Sequence, residues 1–116
     1  MIKVYSYSKC STCRKAVKFL DARGVQYEEA PIVETPPSKA ELAQMLKSVG
    51  EIKKLFNTSG ELYREMKMSE KLPKLTTDEA LTVLSKYGKL VKRPFVLTPK
   101  TGLVGFDEKA WRAAFP

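Results

Sequence analysis

Cys10 and Cys13 are the only two cysteines in a chain of 116 residues, and they stand as C-x-x-C within the stretch YSYSKCSTCRKA, residues 5 to 16. Thiols at this spacing can exchange a disulfide, supply half of a zinc site, or fill a core as small hydrophobes. The zinc option needs four ligands, and with no histidine in the chain only carboxylates or a second chain could complete the set. The same absence removes Ser-His and Cys-His catalysis. A cysteine nucleophile here must owe its reactivity to its surroundings, as a thiolate stabilised by a helix N-terminus and nearby cations.

The flanking residues supply both. Ile2 to Tyr7 alternates in period two and is rich in β-favouring types, which predicts a strand ending just before the pair. From Cys13 the apolar positions Cys13, Ala16, Val17 and Leu20 recur at i, i+3, i+4 and i+7, and Gly24 stands where a left-handed cap closes a helix. The spacing predicts an amphipathic helix over about 11 to 23. Cys10 then lies at the helix mouth, where unpaired N–H groups and the positive end of the dipole favour a thiolate, with Lys9, Arg14 and Lys15 close by in sequence. Cys13, one turn in, is placed to attack a mixed disulfide on Cys10 and release the partner. Its place on the apolar face equally suits a buried, inert thiol.

Val25 and Tyr27 alternate with Gln26 and Glu28, so the first thirty residues or so read as a βαβ unit with parallel strands and a right-handed crossover. Beyond Pro36 and Pro37, three capping-box spacings open helices: Ser38 with Glu41, Thr58 with Glu61, and Thr76 with Glu79. Gly50 and Gly88 stand as stops, and the middle of the chain, 38 to 88, is expected to be helical. Phe95 to Leu97 and Leu103 to Phe106, joined by TPKTG, suggest an antiparallel hairpin, and Asp107 can cap a last helix bearing Trp111, Ala114 and Phe115. The order predicts an α/β fold, one mixed sheet flanked by helices, with the cysteines at a carboxyl strand end where such sheets bind ligands.

Composition sets the context. The length suits one domain, 1 to 116, and 43% hydrophobic with 29% charged residues suits a soluble globule. No stretch resembles a signal peptide or reaches the length of a membrane span, so the expected address is the cytoplasm, where thiols are kept reduced and a cycling pair is more natural than a lasting disulfide. A net charge of +8 favours acidic partners: oxyanions, glutathione carboxylates, nucleic acid or an acidic protein surface. Lys86, Lys89, Lys92 and Arg93 form a basic cluster, but spaced lysines on a helix and its exit read as a solvated face. No groove-reading element accompanies them, so direct nucleic-acid binding is not expected.

Other candidate positions are Ser11 and Thr12 between the cysteines, Asn57 in the polar turn LFNTSG, and Arg93 with Pro94 in KRPF. There the proline opens a strand and a cis bond could hold backbone against a substrate disulfide. Taken together, YSYSKCSTCRKAVKFL, LFNTSGELYRE and LVKRPFVL followed by GLVGFDEKAW resemble the ArsC/Spx family of thioredoxin-fold proteins over about residues 3 to 115. The resemblance implies a thioredoxin-like sheet with a helical subdomain inserted at about 38 to 88, and a cis Arg93–Pro94 peptide.

It also implies roles. In the glutaredoxin-coupled arsenate reductases a cysteine thiolate attacks arsenate, and glutathione and then glutaredoxin clear the adduct. Cys10 matches that nucleophile and Arg93 the arginine that binds the oxyanion. Other reductase contributors are replaced: a middle-region arginine aligns near Asn57, a third arginine near Phe106, and a histidine with Ser6. Each lost charge-assisted contact is worth about 1.5–3 kcal/mol. The second cysteine matches instead the Spx branch, whose C-x-x-C is a redox switch and whose members bind the RNA polymerase α subunit. There Arg93 resembles the arginine that senses the disulfide. LFNTSGELYRE resembles a third branch of reductases with the same cysteine pair. The expected protein is a thiol-disulfide oxidoreductase with no bound cofactor and no metal, served by glutathione and glutaredoxin or by thioredoxin. The alternative is a non-catalytic redox regulator.

Overall fold

Val4 and Tyr5 are adjacent and both buried, yet they pack into different cores, because successive side chains of a strand point to opposite faces. They belong to β1 (Ile2–Ser6), an inner strand of the four-stranded sheet in the computed structural model, which describes residues 2–116. The sheet order is β2-β1-β3-β4, with β2 (Tyr27–Pro31) parallel to β1 and the hairpin β3 (Phe95–Leu97) and β4 (Gly102–Val104) antiparallel. This is an α/β, thioredoxin-like mixed sheet, and the βαβ start and closing hairpin are as the patterning predicts.

One face of the sheet presents Val4 and Val96 to α1 (Ser11–Ala22) and α6 (Glu108–Ala114). Ala16, Phe19 and Leu20 of α1 meet Trp111 and Phe115 there. The Trp111 ring lies edge-on to Phe106 at 5.0 Å and to Phe19 at 5.9 Å, and its Nε1 donates to the Gly105 carbonyl at 3.2 Å. Asp107 caps α6 as expected, accepting from the Lys109 N–H at 3.1 Å.

The opposite face presents Tyr5, Phe95 and Leu97 to the helical middle: α2 (Lys39–Val49), α3 (Glu61–Glu65), α4 (Met68–Lys71) and α5 (Thr77–Lys86). Both outer capping boxes form, Ser38 with Glu41 and Thr76 with Glu79. Glu41 does a second job, accepting from the Tyr5 hydroxyl at 2.7 Å and from Lys3 Nζ at 3.3 Å, so the cap also ties α2 to β1.

The middle box does not form. The Gly60 N–H closes a turn onto the Asn57 carbonyl at 3.0 Å, which makes Gly60 the N-cap of α3 and leaves Thr58 outside it. Lys67, in the left-handed region at φ 53°, then separates α3 from α4, so the middle is a series of short helices rather than long ones. Gly50 ends α2 at φ 81°, as a left-handed stop should. Gly88 serves another purpose. α5 ends at Lys86, and a Cβ on Gly88 would sit 1.9 Å from the Ile32 carbonyl oxygen, so this glycine permits close passage of two backbones.

Gly88→Ala is therefore expected to destabilise the fold by about 1–3 kcal/mol, the usual range for overpacking, because the obstructing atom is backbone and cannot rotate away. A lower urea midpoint at unchanged slope is the expected readout, and a midpoint equal to wild type would contradict the crossing.

Candidate active site

The turn from β1 to α1 delivers both cysteines. The Cys10 N–H donates to the Tyr7 carbonyl at 3.0 Å, and Cys10 takes the N-cap position of α1 in an extended conformation. N-cap residues usually offer oxygen to the exposed N–H groups. Here the offering atom is sulfur, and the thiol closes no capping bond. Partial burial pushes the Cys10 pKa up, but the N–H groups of Cys13 and Thr12, the Cys13 thiol and the Arg93 charge outweigh it, and the balance falls below the ordinary thiol value. The anion is thus the form the helix mouth favours.

Cys13 is 2% exposed, and both cysteines are free thiols. Burial, the largest effect, pushes its pKa up to about 12, and its hydrogen bond to Cys10 and the charge there act the same way. Two thiols one turn apart therefore differ sharply in acidity: Cys10 is disposed to be the anion and Cys13 its hydrogen-bond donor.

Arg93 approaches from the neighbouring strand. β3 runs antiparallel to β1, with Phe95 opposite Tyr5, so the residues just before β3 reach the sheet end at which β1 releases the chain toward Cys10. The Arg93–Pro94 peptide is cis, as the resemblance implies. The guanidinium carbon lies 4.8 Å above the Tyr7 ring, and Nη1 is buried without a hydrogen-bond partner among the described residues. A buried cationic donor left unpaired is costly unless a ligand engages it.

A cavity of about 450 Å³ joins these groups, walled by Cys10, Thr12, Asn57, Ser59, Arg93 and Phe106 and extended by Lys92 and Asp107. Asn57 reaches it through pairing the sequence does not announce. Its N–H donates to the Leu90 carbonyl at 2.7 Å, the Lys92 N–H donates to the Leu55 carbonyl at 2.8 Å, and Phe56 bridges Val91. That short antiparallel contact carries Asn57 and Arg93 to one wall.

The sequence-predicted residues separate accordingly. Cys10, Thr12, Asn57 and Arg93 share the cavity, whereas Ser11 is an exposed first-turn residue of α1 outside its walls. Pro94 is buried, with its carbonyl accepting from the Gly105 N–H at 2.9 Å, and does not line the cavity either. Ser6 is not among the residues lining this cavity; its hydroxyl donates to Glu29 Oε2, and it lines a separate hollow beside α1. Ser59, Lys92 and Asp107 also line the cavity, and no spacing in the sequence marks them for it. Lys92 was legible only as part of the basic cluster, and neither it nor Arg93 forms an ion pair among the described residues.

A thioredoxin-like sheet with its thiol pair at the first βα turn and an arginine reaching over from the next strand defines the class: a thioredoxin-like thiol protein. More narrowly, the chain belongs to the ArsC family, whose model matches residues 5–114. The uncharacterised protein YusI of Bacillus subtilis is 46% identical over 105 residues, covering 90% of this chain and 89% of YusI. A solved ArsC family related protein from Bacteroides fragilis is 42% identical, superposes with a TM-score of 0.91, and is covered to 95%, with 97% of this chain matched. More distant relatives divide by function. The global transcriptional regulator Spx of Streptococcus agalactiae is 29% identical over all of this chain and 84% of its own. An arsenate reductase of Neisseria meningitidis is 28% identical over 90% of this chain and 89% of its own.

The acidity difference predicts selective labelling. At neutral pH iodoacetamide should modify Cys10 at least about 100-fold faster than Cys13, followed by mass spectrometry over a time course. In a Cys13→Ala background, Arg93→Ala should raise the Cys10 midpoint in an ultraviolet thiolate titration. Equal labelling rates, or a midpoint unmoved by Arg93→Ala, would contradict the described electrostatics.

Proposed function

We propose that the chain is a thiol-disulfide oxidoreductase that attacks with Cys10, anchors an anionic group of its substrate on Arg93, and resolves the adduct with Cys13. The observation that carries this reading is the cavity that Cys10 and Arg93 wall together, with the Arg93 Nη1 buried beside it and without a hydrogen-bond partner among the described residues. Asn57 and Thr12 line the same cavity and supply neutral hydrogen-bonding groups to the substrate.

With a disulfide substrate, Cys10 sulfur bonds to one substrate sulfur and the other leaves as a thiolate. Cys13 then attacks the Cys10 sulfur and expels the first as a thiolate, so the pair loses two electrons and the substrate gains two. With arsenate, the same two electrons reduce arsenic as one oxygen leaves as water. Glutathione with glutaredoxin, or thioredoxin, returns the pair to dithiol. The cycle suits the cytoplasm, where the reductants are, and no helix among the described residues is long and apolar enough to cross a membrane.

A second reading is a redox-sensing regulator that binds the RNA polymerase α subunit. It is favoured by similarity to Spx along the whole chain and to the regulatory protein MgsR of Bacillus subtilis over 89% of it. Here Cys10 and Cys13 form a switch and turnover is negligible.

NADPH consumption with glutathione, glutaredoxin and glutathione reductase separates the readings, with arsenate or a small disulfide as acceptor. Under the enzyme reading Cys10→Ser abolishes turnover and Cys13→Ser accumulates a mixed disulfide on Cys10. Arg93→Ala lowers kcat/KM about 10- to 100-fold, as expected for one charge-assisted contact. Wild-type rates equal to Cys10→Ser with both acceptors, together with redox-dependent capture of the α subunit, would establish the regulator instead.

A further inference from the structure

Cys13 also lines a second cavity that the proposed cycle leaves unused. It encloses about 220 Å³ behind the thiol, with Ser6, Tyr7, Cys13, Val17, Lys18 and Glu29 among its walls. A wider hollow of about 480 Å³ shares Ser6, Tyr7 and Glu29 with it and leads outward past Pro31 and Glu34. The smaller cavity is largely apolar, with Ser6, Lys18 and Glu29 among its polar groups, and its volume is room for a few waters.

Glu29 is brought there by sheet register. β2 pairs in parallel with β1, and Glu29 stands opposite Val4, whose side chain faces α1. Ser6, two residues after Val4, shares that face, and its hydroxyl donates to Glu29 Oε2. Ser6 is the one buried polar side chain among the described residues, and its hydroxyl is spent on orienting this carboxylate. The front cavity offers only Asp107, whose carboxylate caps α6.

Resolution needs a base. Burial holds Cys13 as a thiol, and a thiol attacks a disulfide far more slowly than a thiolate. The charged and titratable groups facing Cys13 are Cys10 and Arg93 at the helix mouth, Tyr7 from the turn, Arg14 and Lys18 from α1, and Glu29 from β2. Glu29 is the carboxylate among them.

We propose that Glu29, oriented by the positioning residue Ser6, accepts the Cys13 proton through water in the rear cavity as Cys13 attacks the adduct on Cys10. The Cys13 S–H bond breaks and its proton passes to the Glu29 carboxylate. The sulfur electron pair forms the bond to Cys10, and the substrate thiolate leaves with the electrons of the bond it shared with Cys10. The inference rests on the resolving role assigned to Cys13 above.

Ellman's disulfide tests it with the intact chain in stopped flow. Attack by Cys10 releases one thionitrobenzoate, and attack by Cys13 on the resulting adduct releases the second. Glu29→Gln keeps the shape and the Ser6 partner. It is expected to leave the first release at wild-type rate and slow the second about 100-fold near neutral pH. The second release should then climb about tenfold per pH unit as hydroxide replaces the carboxylate, against a shallower wild-type profile. Ser6→Ala should slow the second release less, and Glu29→Asp should restore part of it. A second release in Glu29→Gln within about twofold of wild type, or slowed equally at every pH, overturns the proposal. Absence of any second release from the wild type would instead overturn the resolving role of Cys13, and this inference with it.

Discussion

The site depends on β1 being enclosed on every side. Val4, Tyr5 and Ser6 are buried on its two faces, and β2 and β3 occupy its two edges, so ligand chemistry is left to the strand end. At the carboxyl end three pieces of chain converge for topological reasons. α1 begins there with Cys10, antiparallel β3 must begin there with Arg93 just before it, and parallel β2 must finish there with Glu29 near its end. The basic and the acidic neighbour of the thiol pair thus come from opposite edges of the same strand.

The second constraint is desolvation. Removing sulfur from water raises its pKa, and at Cys10 this is the largest single effect on the thiol. The Cys10 pKa falls below the ordinary thiol value only because N–H groups of the first turn, the Cys13 thiol and Arg93 all act in the other direction. Cys13 is buried more deeply, and the Cys10 charge adds to its burial rather than relieving it. Each thiol therefore makes its partner less like itself: hydrogen bonding between them lowers the pKa of one and raises that of the other. A C-x-x-C spacing makes this asymmetry available, and the helix mouth decides which cysteine is the acid.

Much of this was legible in the sequence because local rules carry it. The strand period at Ile2 to Tyr7, the helical spacing from Cys13, Gly24 and Gly50 as stops, two capping boxes and the Asp107 cap all report short-range preferences that the tertiary structure keeps. Thr58 misled for an instructive reason. Its capping-box spacing to Glu61 is sound, but a turn closed on Asn57 and a glycine at position 60 moved the helix start. Gly88 looked like a helix stop and is instead a crossing point with Ile32, a contact made across 56 positions of sequence that no local pattern encodes. Asn57 and Glu29 reach their cavities through long-range pairing, which is invisible to periodicity. Asn57 is marked in the sequence only by its polar turn, and Glu29 is an exposed strand residue that no spacing marks.

Phe106, near which the resemblance places an arginine in the arsenate reductases, is held by aromatic packing. Its ring lines the front cavity, but it also packs edge-on against Trp111 and Phe19, at 5.0 and 5.6 Å, so its position is committed to the core beneath the sheet. A cation there would have to leave that cluster, and Asn57 carries no charge to compensate. The wall is left with one guanidinium, the Lys92 ammonium, neutral donors and the Asp107 carboxylate, a poorer complement to a multiply charged oxyanion than to a group bearing a single negative charge. In the proposed cycle the second cysteine would shift the chemistry in the same direction, since Cys13 would clear an adduct on Cys10 within the chain instead of leaving it to an external thiol. Under the proposed disulfide exchange, a single guanidinium anchor and a resolving Cys13 would be two aspects of one site, suited to a substrate whose reacting atom is sulfur.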